Sequence, residues 1–88
     1  MIKAKLTLYV MGSSSRATQA IANIRMLVEA HVDDVEFDVV DILEHPEIAE
    51  QEKIFATPML VKSAPPPRKK VIGDLGDKDL VWKQLSLN

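Results

Sequence analysis

The sequence has no cysteine among its 88 residues, and only one tryptophan, one tyrosine, two phenylalanines and three glycines. Without a thiol there is no disulfide, no thiolate nucleophile and no cysteine zinc site. No apolar run is long enough to read as a membrane span or as the core of a secretory signal, so the cytoplasm is the expected location. Few aromatics means no stacked-ring platform for single-stranded nucleic acid, and neither nucleic acid nor membrane is an expected partner. The length leaves no room for a second core. Residues 1–88 read as one domain, with 47% hydrophobic residues to fill its interior.

What is present is unevenly distributed. The net charge of −2 conceals a division: 29–52 holds ten acids and no Lys or Arg, whereas 53–70 holds five basic residues and no acid. Such a division steers an oppositely charged partner or orients self-association. Over 3–11, apolar Ala4, Leu6, Leu8 and Val10 alternate with Lys3, Lys5, Thr7 and Tyr9, the period of a strand. Gly12 and the serines 13–15 end that pattern and offer a hydroxyl to the first amides of a helix. That helix runs over 16–30, with Ala17, Ala20, Ile21, Ile24, Leu27 and Val28 on one stripe. A second strand over 35–42 has Phe37 and Val39 on one side and Val40 and Ile42 on the other, which reads as an inner strand of a covered sheet.

The second half is cut into shorter pieces. Pro46 suits the first position of a short helix reaching about residue 53, with Glu47 at its positive end and Ile48 as anchor. Apolar character returns over 55–61 around Pro58, which belongs at the start of a strand because it has no amide to give to a ladder. Pro65, Pro66 and Pro67 read as an extended connector, 68–72 as a short charged strand, and Gly73 and Gly76 as turn residues. Asp77 caps a helix over 78–87 anchored by Leu80, Val81, Trp82 and Leu85. The local order is βαβαββα, an α/β fold.

Four segments in this order, LYVMG at 8–12, VVDILEHPEIAE at 39–50, ATPMLVK at 56–62 and PPPRKKVIGDL at 65–75, together resemble the KaiB family of circadian-clock proteins, which is related to thioredoxins. The resemblance implies a thioredoxin-like βαβαββα fold. It also implies an alternative, a self-associated ground-state arrangement with the second half rebuilt as βαββααβ, in which Pro58, Pro65, Pro66, Pro67, Gly73 and Gly76 delimit the changing pieces. The implied function is a non-enzymatic clock-system adaptor that binds a KaiC-like ATPase and competes for it with a KaiB-like histidine-kinase sensory domain. A non-clock regulatory or stress-related binding module is the alternative. A homo-dimer or homo-tetramer is implied for one state; the sequence stops at Asn88 without the acidic tail of many KaiB proteins, which leaves both dimer and tetramer open.

The residues around this scaffold offer little chemistry. Where thioredoxins carry their redox pair, at the end of the first strand, this sequence has Met11, Gly12, Ser13, Ser14, Ser15 and Arg16, with no base nearby to activate a serine. Gly12 and the SSSRA after it match neither a Walker loop nor GxGxxG, and no cofactor is expected. His31 and His45 belong to no compact metal pattern, and Glu47, Glu50 and Glu52 have no apolar pocket to tune them. Thr57–Pro58 resembles the cis-proline position of the thioredoxin fold. The candidate protein interface is cationic: Arg16, Lys53, Lys62, Arg68, Lys69 and Lys70. On an edge strand, Arg68, Lys69 and Lys70 meet an acidic partner or discourage sheet addition.

Overall fold

A computed structural model describes residues 3–73 and 75–87. The elements are β1 (Ala4–Val10), α1 (Ser15–Ala30), β2 (Val35–Asp41), α2 (Pro46–Gln51), β3 (Met59–Ala64), β4 (Lys69–Ile72) and α3 (Lys78–Gln84). They form one four-stranded sheet in the order β2-β1-β3-β4. β2 runs parallel to β1, β3 antiparallel to β1, and β4 antiparallel to β3. This is the thioredoxin-like βαβαββα arrangement rather than the rebuilt one.

The alternation in β1 places Ala4, Leu6, Leu8 and Val10 on a single face. There they pack with Ala17, Ala20, Ile24 and Leu27 of α1, Leu60 and Val71 of the sheet, and Val81 and Leu85 in and just beyond α3. On the opposite face Tyr9, Met59 and Val61 gather with Ile54, and Val40, Ile42 and Ile48 pack against them. α2 supplies Ile48 to that second cluster, so the sheet lies between α1 with α3 and the shorter α2. Burying one such aliphatic side chain stabilises by about 1.5–3 kcal/mol.

Several expectations are corrected. β2 is an edge strand, not an inner one: its apolar residues face the helical layers above and below, and coverage of the faces says nothing about lateral neighbours. The proline run is a reversal rather than an extended connector, because it joins antiparallel neighbours β3 and β4. β3 begins at Met59, directly after Pro58 as expected, but continues past residue 61 through Ala64, while Phe55 ahead of it is 88% exposed. Leu80 is exposed as well, leaving Val81, Leu85 and the half-buried Trp82 to anchor α3. That helix ends at Gln84, where Leu85 caps it. The peptide bonds Thr57–Pro58, Ala64–Pro65 and Pro66–Pro67 are cis.

Caps fall where the short polar residues stand. The Ser14 hydroxyl accepts from the Ala17 amide at 3.1 Å, and the Asp77 carboxylate accepts from the Leu80 amide at 3.1 Å. At the far end of α1, the His31 ring stacks on Trp82, with centroids 3.7 Å apart and planes 7° from parallel, joining α1 to α3.

Two outcomes follow for stability. Ile24→Ala empties a fully buried position between α1 and the sheet and is expected to cost about 3 kcal/mol in denaturant unfolding. His31→Ala is expected to cost about 1 kcal/mol and to reduce the near-ultraviolet dichroism of Trp82, the sole tryptophan.

Candidate protein interface

The C-terminal ends of parallel β1 and β2 and the beginning of antiparallel β3 meet at one end of the sheet. Gly12 turns the chain there with φ +66°, and a Cβ added to it would lie 3.3 Å from Leu43 Cδ1. Its amide donates to Asp41 Oδ1 at 3.0 Å, and the same oxygen accepts from the Leu43 amide at 2.9 Å. Those two bonds, Gly12's being the stronger influence, hold the Asp41 carboxyl below its ordinary value of 3.8. One carboxylate thus fixes both the approach to α1 and the loop before α2. The bond to Leu43 is a local Asx turn, a type of contact that Asp invites, whereas the bond to Gly12 is made across the fold.

Ser15, Arg16, Gln19 and Pro58 line an open depression of about 270 Å³ beside this junction. Around the same end Met11, Leu43 and Phe55 are 51%, 65% and 88% exposed. Exposed apolar groups gathered at one end of a sheet suit a protein contact. Phe55 lies between Lys53 and the turn at Pro58, ahead of the first residue of β3, and this is what leaves it outside.

The six cationic candidates do not form one cluster. Arg16 stands alone at the start of α1. Arg68 Nη2 pairs with Glu52 Oε1 at 2.8 Å, and Lys70 Nζ donates to the Glu52 and Lys53 carbonyl oxygens at 3.2 and 3.3 Å. Lys53, Arg68 and Lys70 are therefore brought together where the loop after α2 approaches β4, and Lys69 is half-buried on the other face. The exposed Arg68–Glu52 pair contributes at most about 1 kcal/mol, so its charges stay open to a partner. Beneath it, burial and then the Glu52 charge raise the Tyr9 hydroxyl above its ordinary value of 10.0.

Lys62 departs from expectation. Its side chain is fully buried, and its Nζ has no hydrogen-bond partner. The cause is register: Lys62 lies between Leu6 of β1 and Lys69 of β4 on the face covered by α1 and α3. It is no part of the exposed surface in this fold. Burial first, and the Lys69 charge second, lower its ammonium below the ordinary 10.5.

Ser13, Ser14 and Ser15 follow β1 at this end, and with no cysteine in the sequence no thiol is available there for disulfide exchange. His31 stands at the C-cap of α1 with its backbone amide donating to the Val28 carbonyl, and His45 occupies the N-cap position of α2 without a side-chain cap bond, its Nδ1 3.6 Å from Glu47 Oε1. No three His, Asp or Glu side chains among the described residues are placed to share a metal ion. No helix among them is long and apolar enough to cross a membrane.

Two of the perturbed groups, Asp41 and Lys62, both have depressed folded pKa values, so each makes stability rise with pH, one in the acid range and the other in the alkaline range. Asp41, with a depressed folded pKa, adds stability above its unfolded value that is lost as pH falls through the folded one; Asp41→Asn is expected to lower the unfolding midpoint at neutral pH and to weaken its decline in acid. For Lys62 the unfolded chain holds the proton more tightly, so stability rises as pH climbs from the folded pKa towards 10.5. Lys62→Met is expected to raise the midpoint by several degrees at neutral pH and to flatten the alkaline rise. Thermal unfolding across pH measures both, and an alkaline rise unchanged in Lys62→Met overturns the second.

The KaiB domain matches residues 7–87. Circadian clock protein KaiB3 of Synechocystis sp. is 44% identical over 83 residues, spanning 93% of this chain and 81% of that protein. The circadian clock oscillator protein KaiB of Nostoc punctiforme is 40% identical, spanning 98% of this chain and 94% of its own length. Among solved structures, the N-terminal domain of Synechococcus elongatus SasA superposes with a TM-score of 0.68 at 28% identity, over all of this chain and 88% of that one. Mitochondrial thioredoxin 3 of Saccharomyces cerevisiae reaches a TM-score of 0.78 at 20% identity, over 98% of this chain and 79% of that one, a likeness of fold. With its motifs, its thiol-free thioredoxin-like scaffold and these relatives in agreement, the chain belongs to the KaiB family.

Proposed function

We propose that this protein is a non-enzymatic clock-system adaptor of the cytoplasm that binds a KaiC-like ATPase and competes for it with a KaiB-like histidine-kinase sensory domain. The observation that carries this reading is the KaiB domain match over 7–87, together with 44% identity to a circadian clock protein. The likeness to the SasA N-terminal domain supports a contest between domains of one shape for one surface. In this reading the exposed apolar groups at Met11, Leu43 and Phe55 dock the ATPase, with Arg16 beside them. Lys53, Arg68, Lys69 and Lys70 supply charge complementarity that steers and orients the encounter. The pieces bounded by Pro58, Pro65, Pro66, Pro67, Gly73 and Gly76 rearrange between a self-associated dimer or tetramer and the binding-competent fold. Apparent affinity then falls in proportion to the competent fraction.

Incubation with the KaiC-like ATPase from the same genome for many hours, followed by size-exclusion chromatography, tests the reading. A complex is expected to accumulate slowly and to exclude the kinase sensory domain. Phe55→Ser, at an exposed position, is expected to weaken it by about tenfold or more, the scale of an interface hot spot. No complex after long incubation overturns the clock reading and leaves the non-clock regulatory or stress-related module.

A further inference from the structure

Among the described residues, Lys62 is the one buried side chain whose polar atom has no hydrogen-bond partner. Its surroundings cannot supply one. The core side chains that α1 and α3 place over this face of the sheet, Ala20, Ile24 and Leu27 from the first and Val81 and Leu85 from the second, are all aliphatic. Within the sheet Leu6 lies on one side of Lys62 and Lys69 on the other. The charge nearest at hand is therefore of the same sign, and like charges directly opposite each other across a strand pair are unfavourable. Burial and the Lys69 charge both oppose the protonated form. A buried cation in this state regains its hydration only if the backbone that carries it moves.

The ladder is interrupted at the same place. Leu6 is opposite Lys62 but Lys5 is opposite Ala64, so Ser63 is an extra residue in β3 and the pairing with β1 is broken immediately beside Lys62. Lys62 and Lys69 are also the last pair of the β3–β4 hairpin before the chain reverses through the prolines 65–67. On the opposite face this end of the hairpin is clasped to the loop after α2. Arg68 Nη2 meets Glu52 Oε1 at 2.8 Å, and Lys70 Nζ donates to the Glu52 and Lys53 carbonyl oxygens at 3.2 and 3.3 Å. An exposed ion pair of this kind is weak and readily exchanged for a different carboxylate.

We propose that the reversing end of the β3–β4 hairpin is a latch, which opens away from β1 while β1, β2 and α1 stay folded, favoured by release of Lys62 to water and held shut by the Arg68–Glu52 clasp. Local opening of this sort needs less free energy than global unfolding and occurs in contiguous units. An acidic surface that takes Arg68 from Glu52 removes the clasp and leaves Lys62 unopposed, so a contact at the exposed cluster is transmitted to the buried strand. That consequence rests on the reading of the cluster as a place of partner contact; the opening itself belongs to the free chain.

Amide hydrogen exchange of the full chain, free of any partner and followed by nuclear magnetic resonance at neutral pH, is the test. The amides of β3 are expected to exchange together and ahead of those of α1. Lys62→Met, which replaces the ammonium by an uncharged side chain, should slow the β3 group by about tenfold or more. Glu52→Gln, which unfastens the clasp, should quicken it by about threefold. Lys69→Glu, which gives Lys62 a neighbour of opposite charge, should slow the group in the wild type and far less in Lys62→Met, a coupling that packing alone would not produce. Should Lys62→Met alter the fold by circular dichroism, Lys69→Glu and Glu52→Gln carry the test. β3 amides that exchange no sooner than those of α1, or at a rate unchanged by Lys62→Met, show that Lys62 is released only when the whole chain unfolds and overturn the proposal. Glu52→Gln without effect overturns it too. Because the ATPase takes no part in these measurements, failure of the clock reading and failure of the latch are separate results.

Discussion

Everything in this fold is referred to one strand. β1 pairs on both sides, parallel with β2 and antiparallel with β3, and it is apolar above while Tyr9 enters the core below. A strand paired on both sides and covered on both faces has no freedom of register, because a slip of one residue would send Ala4, Leu6, Leu8 and Val10 to the wrong layer. The position of Gly12, and so the start of α1, follows from where β1 must end. The serines at that junction inherit a place that in other proteins holds reactive sulfur, and here one of them serves as a helix cap.

The sheet's two cores are unequal, and the difference divides the chain. α1 buries a long stripe against the upper face, while α2 offers the lower face a single short turn around Ile48. Elements after Ile54 are brief and separated by prolines and glycines, so they depend on tertiary contacts more than on their own propensity. Lys62 sits in this part with its ammonium unpaired, a local conflict set inside an otherwise consistent core.

How much of this was legible follows from what a sequence pattern encodes. Periods of two and of about three and a half disclosed β1 and α1, and short polar residues disclosed a cap among the serines 13–15 and another at Asp77, because each signal is local. β2 as an edge was not legible: Phe37, Val39, Val40 and Ile42 report the layers above and below them and carry no information about sideways neighbours. Nor was the burial of Lys62, since a lysine reads as exposed until its partners across the sheet, Leu6 and Lys69, are known. Met11, Leu43 and Phe55 as one exposed group required the topology that brings three strand ends together. The basic residues were legible as a set, but their separation into Arg16, a cluster near Glu52 and a buried Lys62 was not.

The double hydrogen bond at Asp41 has a bearing on recognition. Because one oxygen holds the amides of both Gly12 and Leu43, the two loops form a single rigid ledge. A partner that engages Leu43 finds the start of α1 already in position and loses no further entropy in fixing it. The ledge sets an exposed leucine on one loop and the Ser14-capped first turn of α1 on the other at a fixed spacing.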